Sequence, residues 1–252
     1  MVEKITITPN HIRGMGNIID PKTDDDFTVE DCTITESTDT VNGLTVPVFE
    51  LEYTFTPPTP TYIIDDDASS NNSSTLFGDS VALRNSGSNS VGWNGDGYYT
   101  ITTQSSGQKE SMRVLTALTG ITDDFVLEFD GYSEQTDGTR GLVVYNSSSA
   151  WEKLTDDSAS NKKYWYAYQD STFHEQDFYG TTTTYQRWVH YKYTLQGTSF
   201  SIKVTEIADG TEIVSRTETL HFTRDSTTKY GLNSEWNSNR TSRYKNIQAY
   251  TI

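Results

Sequence analysis

Arg187-Trp188-Val189-His190-Tyr191-Lys192-Tyr193-Thr194-Leu195 runs through a Gln196-Gly197-Thr198 turn into Phe200-Ser201-Ile202-Lys203-Val204, and this stretch decides the fold. Val189, Tyr191, Tyr193 and Leu195 alternate with Trp188, His190, Lys192 and Thr194. That period of two is the mark of a strand with one buried face and one wet face. The Gly-containing turn makes the stretch a hairpin. Ser242-Arg243-Tyr244-Lys245-Asn246-Ile247-Gln248-Ala249-Tyr250 then supplies a late strand that closes the chain.

At 252 residues the chain can bury a substantial core. Thr, Ser, Asn, Gly and Tyr are abundant, and no apolar run of helical period exceeds a turn or two, so the class is all-β. Cys32 is the lone cysteine and cannot form an internal disulfide. No Cys-His pattern surrounds it, and it reads as a small, half-buried hydrophobe.

The opening Met1-Val2-Glu3-Lys4-Ile5-Thr6-Ile7-Thr8 carries charge and then alternates, which does not fit the hydrophobic region of a signal peptide. No apolar stretch approaches membrane-spanning length. A Tyr/Thr/Ser/Asn-rich, Lys-poor surface nevertheless suits an extracellular or particle-surface protein. Delivery on a particle assembled in the cytoplasm, such as a virion, reconciles the two and sets the expected location.

The formal net charge of −16 argues against nucleic acid, whose binders need cations to displace phosphate counterions. Residues 1–60 hold 11 Asp/Glu against 3 Lys/Arg, a net −8, so the first quarter carries half of the total. Such a segment is either a solvated surface or a dock.

Pro57-Pro58-Thr59-Pro60 marks the boundary, because prolines lack the donors a central strand needs and favour a stiff extended spacer. The expected organisation is a small acidic β unit over 1–56, a proline linker over 57–60 and one antiparallel two-sheet sandwich over 61–252. Lys4 to Thr8, Ile18-Ile19, Phe27 to Ile34 and Val46 to Phe55 are the strand candidates of the first unit, with Asn42-Gly43 as a hairpin turn. Some ten to twelve strands are expected in the second. About 55 residues make a small sheet without a confident core of its own, which predicts that the first unit leans on a neighbour or partner subunit.

The Trp188-x-His190 strand, its Gly turn and the final Tyr244-x-Asn246-Ile247-x-x-Tyr250 strand resemble the concanavalin-A-like or laminin-G-like jelly roll. The resemblance covers most of 61–252. It implies a jelly-roll sandwich, a fold that hosts lectins, glycan hydrolases and structural modules. In overall style the chain is similar to surface or tail proteins of tailed viruses, including those of methanogenic archaea, and to adhesin modules. The expected function is a virion surface or tail protein whose sandwich binds host-surface polysaccharide or glycoconjugate. Its first unit joins other virion proteins, and it forms a homo-oligomer without inserting into membrane. A purely structural decoration or assembly protein and a jelly-roll glycan hydrolase are the alternatives.

Jelly-roll glucanases of this resemblance carry E-x-D-x-E or E-x-D-x-x-E on one strand. Here Glu128-Phe129-Asp130-Gly131-Tyr132-Ser133-Glu134 places Tyr132 where the acid/base belongs and puts the second glutamate six residues after the first. At roughly 3.3 Å per residue that is about 20 Å, far beyond the ~5 Å of a retaining pair. No enzyme is expected. The four histidines lie in unrelated contexts and no Gly-x-Ser-x-Gly elbow is present, so Ser-His-Asp chemistry finds no support.

Asp24-Asp25-Asp26 and Asp65-Asp66-Asp67 offer hard oxygens without EF-hand spacing. The resemblance implies a structural calcium near the strand that begins the sandwich, at Asp65, Asp66 and Asp67. Aromatics are the stronger signal, because sugars stack their C-H faces on rings while amides and carboxylates take the hydroxyls. Tyr164-Trp165-Tyr166-Ala167-Tyr168 alternates, so one set of rings faces away from the core. Trp93 and Trp236 sit in Gly/Asn-rich loops. Trp93, Trp165 and Trp236, with Asn237 and Arg240 as hydrogen-bonding groups, are the expected glycan platform.

Overall fold

The structure is a computed structural model that describes residues 2–7, 28–41, 43–56, 60–84, 87–103, 110–133, 139–157, 162–169, 172–234 and 241–252. It divides into two compact units, Met1–Pro60 and Thr61–Ile252. In the first, β1 (Val2–Ile7), β2 (Thr28–Val41) and β3 (Leu44–Thr56) pair antiparallel in the order β1-β3-β2. The β2–β3 connection holds Gly43 at φ +78°, the left-handed region where glycine has no Cβ penalty. The Ile18-Ile19 candidate and the side chain of Cys32 lie outside the described residues.

The second unit runs β4 (Tyr62–Asp66), β5 (Phe77–Arg84), β6 (Asn89–Trp93), β7 (Tyr99–Thr103), β8 (Glu110–Leu115), β9 (Phe125–Ser133), β10 (Thr139–Ser147) and β11 (Ala150–Asp157). It continues with β12 (Lys162–Gln169), β13 (Thr172–Tyr179), β14 (Trp188–Gln196), β15 (Ser199–Glu206), β16 (Glu212–Thr219), β17 (Lys229–Ser234) and β18 (Thr241–Thr251). One sheet has the order β13-β12-β11-β10-β17-β8-β5, the other β16-β15-β14-β9-β18-β7-β6 with β4 added beside β18. The named strands pair antiparallel, and the two sheets stack as a jelly-roll sandwich.

The period-two reading of β14 holds: Val189, Tyr191, Tyr193 and Leu195 are all fully buried. They pack with Phe125, Leu127 and Phe129 of β9 and with Phe200, Ile202 and Val204 of β15. Leu142, Val144, Leu154, Trp165, Tyr230 and Leu232 oppose them from the other sheet. Phe129 stacks on Tyr191 with ring centroids 5.0 Å apart and meets Tyr244 edge-on at 5.4 Å. Each large apolar side chain so buried contributes about 1.5–3 kcal/mol.

Among the described residues the second unit has fifteen strands, β4 to β18, against the ten to twelve expected. β11 hid because its inward positions are Glu152, Leu154 and Asp156, which breaks the apolar alternation. Asp156 lies between the sheets, fully buried, with Arg140 at 2.9 Å, Lys163 and the hydroxyls of Thr184 and Tyr191 around it. Burial opposes its charge, but the two cations prevail and hold its carboxyl below the usual carboxylate range.

Candidate functional site

Two of the expected platform residues, Trp93 and Trp165, turn toward the core. Trp165 is 8% exposed and faces the core, its indole N–H donating to Glu152 at 3.2 Å. The opposite set, Tyr164, Tyr166 and Tyr168, faces away from the core and joins Trp151, Tyr145, Phe173 and Met112 in a second cluster on the outer face of that sheet. Trp151, Tyr166 and Met112 are buried there, as is the Lys153–Glu110 ion pair at 2.8 Å. Trp93 ends β6 rather than lying in a loop; it packs against the core and donates Nε1–H to the Ala68 carbonyl at 3.0 Å. Trp236, Asn237 and Arg240 lie outside the described residues.

Asp65 and Asp66 end β4 and Asp67 follows it, and the three carboxylates take different partners. Asp65 accepts from Gln248 at 2.9 Å, Asp66 from Asn72, Tyr99 and the Ala68 N–H, and Asp67 from the Ser69 N–H at 2.8 Å. Among the described residues no three His, Cys, Asp or Glu side chains converge as a metal would need. Asp24, Asp25 and Asp26 lie outside those residues.

A partly exposed polar and aromatic face does assemble, on the outer side of the eight-stranded sheet. Its rows follow from register. Trp188 of β14 opposes Tyr132 of β9, which opposes Arg243 of β18; His190 opposes Asp130, which opposes Lys245; Lys192 opposes Glu128, which opposes Gln248. The residues read as the wet face of β14 therefore meet those of β9 and β18 side by side.

A bulge in β18 shapes the middle row. Between Lys245 and Gln248 the strand carries one residue more than β9 opposite, and Asn246 takes up the turn at φ +50°, a conformation Asn tolerates better than most residues. Lys245 and Asn246 consequently both reach the outer face, while Ile247 returns to the core fully buried. Asn246 Nδ2 donates to Asp130 Oδ2 at 2.7 Å. Sequence reading missed this role, although the signal was present: Tyr244, Ile247 and Ala249 cannot share one face at strict period two.

His190 is held from both sides, with Nδ1 3.0 Å from Asp130 Oδ1 and Nε2 3.4 Å from Glu128 Oε2. Asp130 first, then Glu128, raises the imidazole to about 9, so it is a cation at neutral pH. The hydrogen bond from His190, with help from Lys192 at 2.8 Å and Tyr250, lowers Glu128 to about 2. Glu128 is thus a fixed carboxylate with no proton to donate. Tyr132 occupies the next outward position of β9, where it packs on Trp188 at 5.5 Å.

Trp188 also meets Tyr98 edge-on at 6.0 Å, and Lys245 Nζ lies 4.6 Å from its ring centroid. Arg243 sits over both Tyr98 and Tyr132, at 4.7 and 5.1 Å. These cation–π contacts hold long basic side chains against half-buried rings. Beside His190 an open hollow of about 250 Å³ is lined by Asp130, Thr205, Glu206, Ile207 and Gly210. The face thus combines ring surface, fixed charges of both signs and a hollow.

No protein-family model matches the chain, nor does any curated protein. Solved structures do. Peanut lectin, solved with a nine-residue peptide, aligns over 77% of this chain and 97% of its own at TM-score 0.50 and 10% identity. Arcelin-5, a lectin-like defense protein from Phaseolus vulgaris, aligns over 76% and 98% at TM-score 0.50 and 7% identity. A protein of unknown function from Shewanella oneidensis MR-1 aligns over 76% and 89% at 0.50 and 11%. What these likenesses establish is the sandwich.

Proposed function

We propose that the sandwich binds a host-surface glycan on the outer face of the eight-stranded sheet, and that the chain is a non-catalytic surface or tail component of a virion. The observation that carries the reading is the partly exposed Trp188, flanked by Tyr98 and Tyr132 and bordered by Lys245. Rings of this kind take the C-H face of a sugar, and the adjacent charges and amides take its hydroxyls. The hollow beside His190 is smaller than the roughly 300–1,000 Å³ clefts that enclose drug-sized ligands, and it suits one ring of a longer chain lying along the face. Peanut lectin, a lectin by name, shares the sandwich, which supports the class of ligand. Tyr132 at the position of the acid/base supports a binding role over hydrolysis, because a retaining site needs a second carboxyl there to give up a proton.

The acidic first unit, set off by Pro57, Pro58 and Pro60, supports a role in attachment to other virion proteins and in homo-oligomer assembly. A glycan array probed with the whole protein tests the ligand class. Deletion of residues 1–56 tests the attachment: the sandwich should stay folded and keep its glycan binding, yet no longer join its particle or oligomer. Normal incorporation of the truncated chain would overturn the attachment role. Incorporation lost with no glycan bound by either form would leave the purely structural reading.

A further inference from the structure

His174 and His221 stand apart in the sequence, and the fold brings their rings within 6.5 Å, with planes 8° from parallel. His174 sits on the edge strand β13, opposite Ala167, and Ala167 in turn opposes Glu152 on β11. The small alanine between them leaves the row open. His221 follows β16, with 41% of its side chain exposed.

Glu152 beneath them is 1% exposed and is short of positive charge. Its Oε1 accepts from the backbone N–H of His221 and from the same residue's Nδ1 at 3.1 Å, and its Oε2 accepts from Trp165. Lys153, next in sequence, lies on the other face of the sheet with Glu110. Among the described residues His221 is the only basic group within 4.0 Å of this carboxylate. A carboxylate at Nδ1 fixes the imidazole with its proton there and leaves Nε2 as the lone-pair nitrogen. That is the arrangement by which an outer carboxylate orients a metal-binding histidine.

We infer that His174 and His221 form a site for a divalent transition-metal ion of the zinc class, oriented by Glu152 and completed by water. No third His, Cys, Asp or Glu joins the pair among the described residues, so the site is open and exchangeable. Two imidazoles at Zn–N bonds of about 2.0–2.1 Å bring their centroids to about 5 Å, so the two exposed rings, stacked at 6.5 Å, close on an ion by drawing together and turning their Nε2 atoms toward it. The ion supplies the positive charge the buried Glu152 lacks.

Zinc titration of the full chain by calorimetry tests the inference, with His174→Gln, His221→Gln and Glu152→Gln variants alongside. One zinc per chain should bind at submillimolar concentration, each histidine variant should weaken it at least tenfold, and Glu152→Gln should weaken it about 10- to 100-fold. In the imidazole NMR spectrum the His174 and His221 signals should move on zinc addition while those of His190 stay. Should Glu152→Gln fail to fold, the two exposed histidine variants and the spectrum decide. Zinc bound equally by the histidine variants, or no zinc bound by the native chain, would overturn it.

Discussion

His190 Nδ1 lies 3.0 Å from Asp130 Oδ1 while its Nε2 faces Glu128, so one imidazole of β14 joins two carboxylates of the adjacent strand β9 at the centre of the outer face. Asn246, displaced outward by the β18 bulge, completes Asp130 from the third strand. Three strands are tied together where the glycan is proposed to lie, which keeps the polar groups in fixed positions before any ligand arrives.

This clamp gives a pH dependence of definite sign. The His190 value is about 9 in the folded chain against an ordinary 6.5, so its contribution is full below pH 6.5 and disappears as pH rises through 9. With its side chain one-third exposed, screening leaves about 1–2 kcal/mol of that. Denaturant unfolding of the native chain should show this loss between pH 6.5 and 9, and His190→Gln should flatten it. A His190 titration midpoint near 6.5 by NMR would contradict the clamp.

Asp156 is the sole carboxylate among the partners described for buried Arg140 and Lys163. Asp156→Ala leaves two cations between the sheets without it and should cost about 3–5 kcal/mol in denaturant midpoint. A loss below about 1 kcal/mol would mean that the cluster is solvated.

Trp165 belongs to the core, and Trp165→Ala should cost about 3–5 kcal/mol of stability. The milder Trp165→Phe keeps most of the packing and loses only the bond to Glu152. It should lower stability by about 1 kcal/mol or more and leave glycan affinity unchanged in the folded protein. A specific loss of affinity with stability intact would return Trp165 to the platform.

Much of the sandwich was legible because Val189 to Leu195 alternate without exception. Alternation failed at β11, where Glu152 and Asp156 point inward and are satisfied by Arg140, Lys163 and His221, residues no local pattern connects to them. It was indifferent at β12, where rings occupy both faces: period two says that Trp165 and Tyr166 point oppositely, but not which one meets the core. It was misled at Trp93, where Gly and Asn residues imitate a loop although Gly92 lies in a strand close against Thr100. The outer face was half legible. His190 and Lys192 were correctly placed on a wet face, but their meeting with Glu128 and Asp130 depends on strand neighbours and on a bulge that only three-dimensional pairing reveals.

The central claim is that Trp188 and its neighbours form the sugar platform. The direct measurement is the affinity of the native chain and of Trp188→Ala for a glycan selected on an array, read by calorimetry. Removing one stacking ring should cost on the order of 1 kcal/mol, roughly a fivefold or greater loss of affinity in the folded protein. Equal affinity in the two proteins, or no glycan bound by the native chain, would contradict the account.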